Sequence, residues 1–217
     1  MVGITRNSCR KTPLGIKNPL ISHPPGGYYA DPELVYNDDV DDLWLYYLSY
    51  NGGDQAVNLA VQKSADGVHW TQPQSVTSWS GIKTAGRSYS VVKQGRNWHM
   101  WYERSIDVFR VEHRDSSDGL SWSSPRVVNF IPEAQPWHLD VEYIPSINEY
   151  WMFFCAGKNG IDHQFQGGSL YFAESVDRVN WVAMDKPVLT VNPIGWDDER
   201  IYRSAFVDDS SSGIVHL

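Results

Sequence analysis

The chain has 217 residues, 41% hydrophobic and 20% charged, with 10 Trp, 12 Tyr and 7 Phe; this is ample material for a packed core and far from a disordered composition. Its formal net charge of -8, with no run of Lys or Arg, excludes a protein that tracks nucleic-acid phosphates. No stretch approaches the roughly 18 apolar residues that span a bilayer, and the opening MVGITRNSCRKTPLG lacks a signal-peptide core, so no membrane partner is expected and the compartment stays open.

In chain order, residues 1–27 form an N-terminal segment whose GIKNPLI run could supply a strand to a later sheet. From Tyr28 the sequence repeats with a period of about fifty residues, the mark of a solenoid or propeller. The first unit, 28–79, reads as three alternating, aromatic-rich strands, DPELVY, LWLYYLSY and AVNLAVQKS, followed by the corner KSADGVHW and a short fourth strand. The second, 80–131, repeats this as SYSVVK, NWHMWYE, VFRVEHRDS and DSSDGLSW. The third, 132–192, reads LDVEYI, EYWMFFCA, SLYFAES and ESVDRVNW, and residues 193–217 begin a fourth unit at YRSAFV. Period-two alternation with β-branched and aromatic residues predicts strands throughout and no ordinary helix.

Each corner is Ser-x-Asp-x-x-x-Trp, a tight turn in which Asp accepts backbone N–H bonds, Gly supplies a left-handed conformation and Trp plugs the hairpin. Arg178 replaces Gly67 and Gly119 in the third copy. Four-stranded antiparallel units that cannot bury their faces alone predict an all-β propeller. About three and a half blades are present, so further residues beyond Leu217 are expected to complete the ring. Of the cysteines, Cys9 and Cys155, the second lies in an apolar run and reads as a buried thiol. Asp38, Asp39, Asp41 and Asp42 lie between two strands without calcium-loop spacing and read as a solvated hairpin. There is no phosphate-cradling loop, nucleophile elbow or Cys/His cluster with metal-ligand spacing.

In a propeller the first strand of each blade lines the channel, so residues at its start gather at one mouth. Aligning the four first strands by their apolar pattern stacks Asp31, Ser88, Asp140 and Arg203. Tyr28, Tyr29, Arg87, Trp137 and His138 lie around them and offer the flat faces and donors that recognise a sugar.

The order YYADPELVY, then WHLDVEYI, with blades closing on Ser-x-Asp-Gly-x-x-Trp, resembles the five-bladed glycoside hydrolases that include arabinanases, β-xylosidases and invertase-like enzymes. The resemblance runs from Tyr28 onward and implies a five-bladed propeller acting on a carbohydrate. It implies Asp31 as base or nucleophile, Asp140 as modulator of acidity, and a Glu of the fourth blade as proton donor, for which Glu199 in GWDDERIYRS is the candidate. Two carboxyl groups in opposite protonation states suit glycosidic cleavage. Arg203 departs from the pattern, either gripping an acidic sugar or pairing with Asp31, and leaves a non-catalytic glycan-binding module as the alternative. No cofactor is implied; a structural calcium ion in the channel would be compatible but is not indicated.

Overall fold

The computed structural model describes residues 19, 21–51, 56–79, 85–105, 109–157, 168–192, 194–195, 198–209 and 211–217. They form strands and, among the described residues, no helix. The first sheet comprises β1 (Tyr28–Asn37), β2 (Asp42–Asn51), β3 (Ala56–Ser64) and β4 (Gln74–Trp79), each antiparallel to the next. The second repeats the order with β5 (Gly86–Gln94), β6 (Asn97–Ser105), β7 (Phe109–Ser116) and β8 (Arg126–Val127). The third contains β10 (Trp137–Ile144), β11 (Glu149–Ala156), β12 (Ser169–Ser175) and β13 (Asn180–Ala183), with β9 (Asn129–Ile131) added in parallel to β13. A two-stranded unit, β14 (Val207–Asp209) and β15 (Ile214–His216), follows. The expected second unit therefore loses residues 129–131 to its neighbour, because Asn129 N–H donates to the Val179 carbonyl (2.8 Å). Cys9 and most of GIKNPLI lie outside the described residues.

Alternation along the second strands explains how the sheets stack into a propeller-like array. On β6, Trp98, Met100 and Tyr102 enter the core shared with the first sheet, where Trp44, Tyr46 and Leu48 of β2 meet them, while Trp101 points into the core shared with the third. On β11, Met152 and Phe154 face back to the second sheet, and Phe153 and Cys155 pack forward against Phe206. With both faces covered, these strands carry apolar side chains on both, each worth about 1.5–3 kcal/mol when fully buried.

The corners are built as expected. Ser64, Ser116 and Ser175 accept the N–H of Gly67, Gly119 and Arg178, each at 2.9 Å, and one oxygen of Asp66, Asp118 or Asp177 accepts the two N–H groups that follow. Arg178 adopts the same left-handed conformation (φ 74°) as Gly67 (73°) and Gly119 (71°), at a cost of about 1–2 kcal/mol for a residue with a Cβ. Its carbonyl accepts the indole N–H of both Trp101 and Trp181 at 3.0 Å, which holds it there. In the hairpin between β1 and β2, Lys93 pairs with Asp38 and Asp39 while Asp41 accepts the Tyr36 hydroxyl.

Candidate functional site

Each inner strand is interrupted near its start by a register shift, between Ala30 and Glu33, Arg87 and Ser90, and Trp137 and Leu139. At each bulge a residue with a side chain is held left-handed: Asp31 (φ 50°), Ser88 (52°) and His138 (49°). Such strain concentrates at functional positions because the surrounding structure must over-determine it. Here it turns three polar side chains into one layer. Ser88 N–H donates to Asp31 Oδ2 (2.8 Å), and Ser88 Oγ hydrogen-bonds His138 Nδ1 (2.8 Å).

Two residues along, a second layer repeats the pattern. Glu33 Oε1 accepts Val91 N–H (3.0 Å), Ser90 Oγ accepts Val141 N–H (3.0 Å), and Asp140 Oδ2 accepts Phe206 N–H (2.9 Å). The expected stack is therefore corrected at one blade: His138, not Asp140, stands with Asp31 and Ser88, and Asp140 stands with Glu33 and Ser90. Apolar alternation is blind to a shift of two residues, since period two returns the same face.

Arg203 joins the layers from the connection into β14. Its Nη1 donates to Asp31 Oδ1 (3.3 Å) and its Nη2 lies 3.9 Å from Glu33 Oε2. Tyr202 lays its ring on His138 (centroids 4.2 Å apart). Across β5 and β6, Arg87 Nη2 donates to Glu103 Oε1 (3.5 Å), and its guanidinium lies 5.2 Å from the Trp137 ring and 6.0 Å from that of Phe109. Tyr28 stacks on Tyr50 at 4.5 Å and is 45% exposed, and Tyr29 meets Tyr47 edge-on. Glu199 is exposed and outside any strand.

Burial governs the charges. Glu33 is pushed up to about 8 by desolvation and then by the Asp140 carboxylate, against the pull of Val91 N–H, Arg203 and Ser90; the guanidinium at 3.9 Å lowers it but does not offset burial. Burial also raises Asp140 to about 6, Glu142 to about 7 and Glu103 to about 8. His138 is held down, to about 4, by burial, with Arg203 and Arg87 adding to it and Asp31 opposing, so its imidazole is neutral. The His138 Nε2 atom is buried and has no hydrogen-bond partner. A cavity of about 600 Å³ begins at Glu33 and Asp140 and runs along the inner strands past Glu142 to Tyr36 and Tyr143.

Glu33 and Glu103 were missed in the sequence. Glu33 follows Asp31 by two residues and so shares its strand face, a usable signal; Glu103 needed the pairing of β5 with β6 to bring it to Arg87. Elsewhere, His99, His113 and Asp115 place candidate metal-ligating atoms within 4.8 Å of one another. Arg178 reaches His99 Nε2 (3.3 Å), Arg126 reaches His113 Nδ1 (3.1 Å), and the His99 Nδ1 side faces Asp115 (2.7 Å), while His113 Nε2 has no hydrogen-bond partner and lies 3.5 Å from Asp115. With guanidinium groups on the outer nitrogens, the inner ones carry the protons, and Arg126 already pairs with the carboxylate.

No family model matches the chain. The chain is 29% identical to the A type blood N-acetyl-alpha-D-galactosamine deacetylase of Flavonifractor plautii over 92% of its length, and spans about a third (32%) of that protein. A crystal structure of an N-acetylgalactosamine deacetylase from F. plautii, in complex with blood group B trisaccharide, superposes with a TM-score of 0.77 at 26% identity, covering 90% of this chain and 63% of the other. Penicillium chrysogenum alpha-L-arabinanase, complexed with arabinobiose, superposes with a TM-score of 0.56 at 13% identity, covering 78% of this chain and 56% of the other. The chain shares its propeller-like fold with both structures. Within that fold, the layer formed by Asp31, Ser88, His138 and Arg203 lies at the start of the inner strands, where three bulges aim polar groups at one place.

Proposed function

We propose that this chain is part of the propeller of a five-bladed glycan-processing hydrolase, and that its reaction is removal of an acyl group from an acylated amino sugar. The observation that carries the reading is the bulge layer, in which a neutral, buried imidazole stands between a carboxylate and two guanidinium groups. The higher likeness to a deacetylase than to the arabinanase supports the choice of reaction.

Amide hydrolysis needs a base for water, a positive field for the tetrahedral oxyanion, and a proton for the departing amine. His138 Nε2 takes the proton as the water oxygen bonds the acyl carbon, and returns it to the amine as the C–N bond breaks. Ser88 Oγ holds Nδ1, fixing the ring, and Asp31 stabilises the imidazolium formed in between. Arg203 supplies the field. Tyr28, Tyr29, Trp137 and Tyr202 offer faces for the sugar rings.

The second reading is cleavage of a glycosidic bond, favoured by the raised pKa values of Glu33 and Asp140, which would put a protonated and a partly ionised carboxyl side by side. Against it, Asp31 and Glu33 converge on a single guanidinium instead of flanking a space between them. Incubation with an N-acetylated oligosaccharide separates the readings: acetate release without new reducing ends supports deacylation, and new reducing ends alone support the glycosidase. Binding with neither product would leave a glycan-binding module and end both.

A further inference from the structure

Two guanidinium groups stand at the site, and their surroundings differ. Arg203 is engaged with carboxyl groups on β1. Arg87 has five N–H donors, yet among the described residues it makes one hydrogen bond, at 3.5 Å, to Glu103. Its Nε is buried without a partner, and so is Oε2 of Glu103. Glu103 is fully buried, and burial raises its pKa to about 8 in spite of Arg87, so the pair does not cancel the Arg87 charge at neutral pH. The Arg87 side chain is still 24% exposed. The rings of Trp137 and Phe109, themselves in edge-to-face contact at 5.9 Å, both lie beside the guanidinium, and His138 is within its electrostatic range.

A guanidinium set against a pair of aromatic rings, partly exposed and with most of its donors unspent among the described residues, is a fork for a planar anion. The chain's net charge of -8 works against any long-range attraction of acidic ligands. A preference for them must come from a short-range contact of this kind.

Resting on the reading of this mouth as a glycan site, we infer that Arg87 is a specificity-determining residue that binds the carboxylate of an acidic sugar, so that the preferred ligand is a glycan in which a uronate-type residue adjoins the acylated amino sugar. Trp137 stacks on that sugar's ring while Arg87 grips its carboxylate, and Glu103 holds the guanidinium in place from behind.

The test compares two probes: a tetrasaccharide of alternating glucuronate and N-acetylglucosamine, and the same molecule with its carboxyl groups reduced to alcohols. Binding is followed by tryptophan fluorescence and calorimetry at about 0.15 M salt, for the wild type, Arg87→Met and Arg87→Lys. The wild type is expected to bind the acidic probe about tenfold or more tightly than the reduced one, the scale of a charge-assisted hydrogen bond. Arg87→Met should bind both alike, and Arg87→Lys should keep part of the preference. Equal wild-type binding, or a preference that survives in Arg87→Met, overturns the inference. Should Arg87→Met lose its native near-ultraviolet circular dichroism, the wild-type pair and Arg87→Lys decide. Acetate release from the reduced probe tests deacylation separately: release without acid preference removes only the role of Arg87, and acid preference without release removes only the deacylase reading.

Discussion

Replacing Glu33 with Gln tests how the second polar layer is ionised. Glu33 has an ordinary value of 4.5 in the unfolded chain and about 8 in the fold. A carboxyl whose folded value is raised keeps its proton while the unfolded chain releases it, so stability is full below the unfolded value and is lost as pH rises through the folded one. Each pH unit in that window costs about 1.4 kcal/mol, which makes the wild type about 3 kcal/mol less stable at about pH 7.5 than at about pH 5 on account of Glu33 alone. Gln retains an oxygen to accept the Val91 N–H and the Ser90 hydroxyl but cannot ionise or repel Asp140. Urea unfolding across this range should therefore show the E33Q variant losing markedly less stability than the wild type as pH rises. An infrared band of a protonated carboxyl near neutral pH should vanish in the same variant. Parallel stability profiles, together with an unchanged infrared spectrum, would refute the assignment of a protonated Glu33.

The replacement Asp31→Asn, which weakens the partner of Arg203 and the stabilisation of His138, should lower acetate release at least about a hundredfold, as loss of a positioned catalytic group does, while thermal unfolding monitored by circular dichroism stays cooperative. Glu199→Gln should leave product release unchanged in the same assay, since that side chain is exposed and outside the bulge layer. The His99–Asp115–His113 network should make the contact between the second and third sheets acid-labile. Both imidazoles are held below their ordinary value of 6.5, His113 to about 3, first by burial and then by Arg126 and Arg178. The stability they contribute is therefore present above that value and lost as pH falls toward about 3, and a His113→Gln variant should show a shallower acid limb in thermal melts. Gly119→Ala should destabilise far more than Gly95→Ala, by about 1–3 kcal/mol in urea unfolding. Both glycines have positive φ, but a Cβ at Gly119 would meet Trp44 and Tyr46 at 2.8 Å and one at Gly95 would meet nothing within 4 Å.

The repeat, the strand order and the corners were legible in the amino-acid sequence because each rests on local physics: period-two alternation, an Asp that caps its own turn, and a Trp at fixed distance from it. Even the Arg178 departure was visible as a residue out of place, though not the two indole N–H bonds that hold it. Asp31, Ser88, Arg87, His138 and Arg203 could be singled out because the start of an inner strand is a position that repetition locates. What only the tertiary structure decided was register. Three bulges insert left-handed residues that alternation does not record, and they move His138 into the layer assigned to Asp140 and lower Asp140 to the level of Glu33. Ionisation was likewise undecidable from residue types, because burial and the spacing of neighbouring charges set whether Glu33, Glu103 and His138 are charged, and both arise only when sheets distant in the chain close on one another.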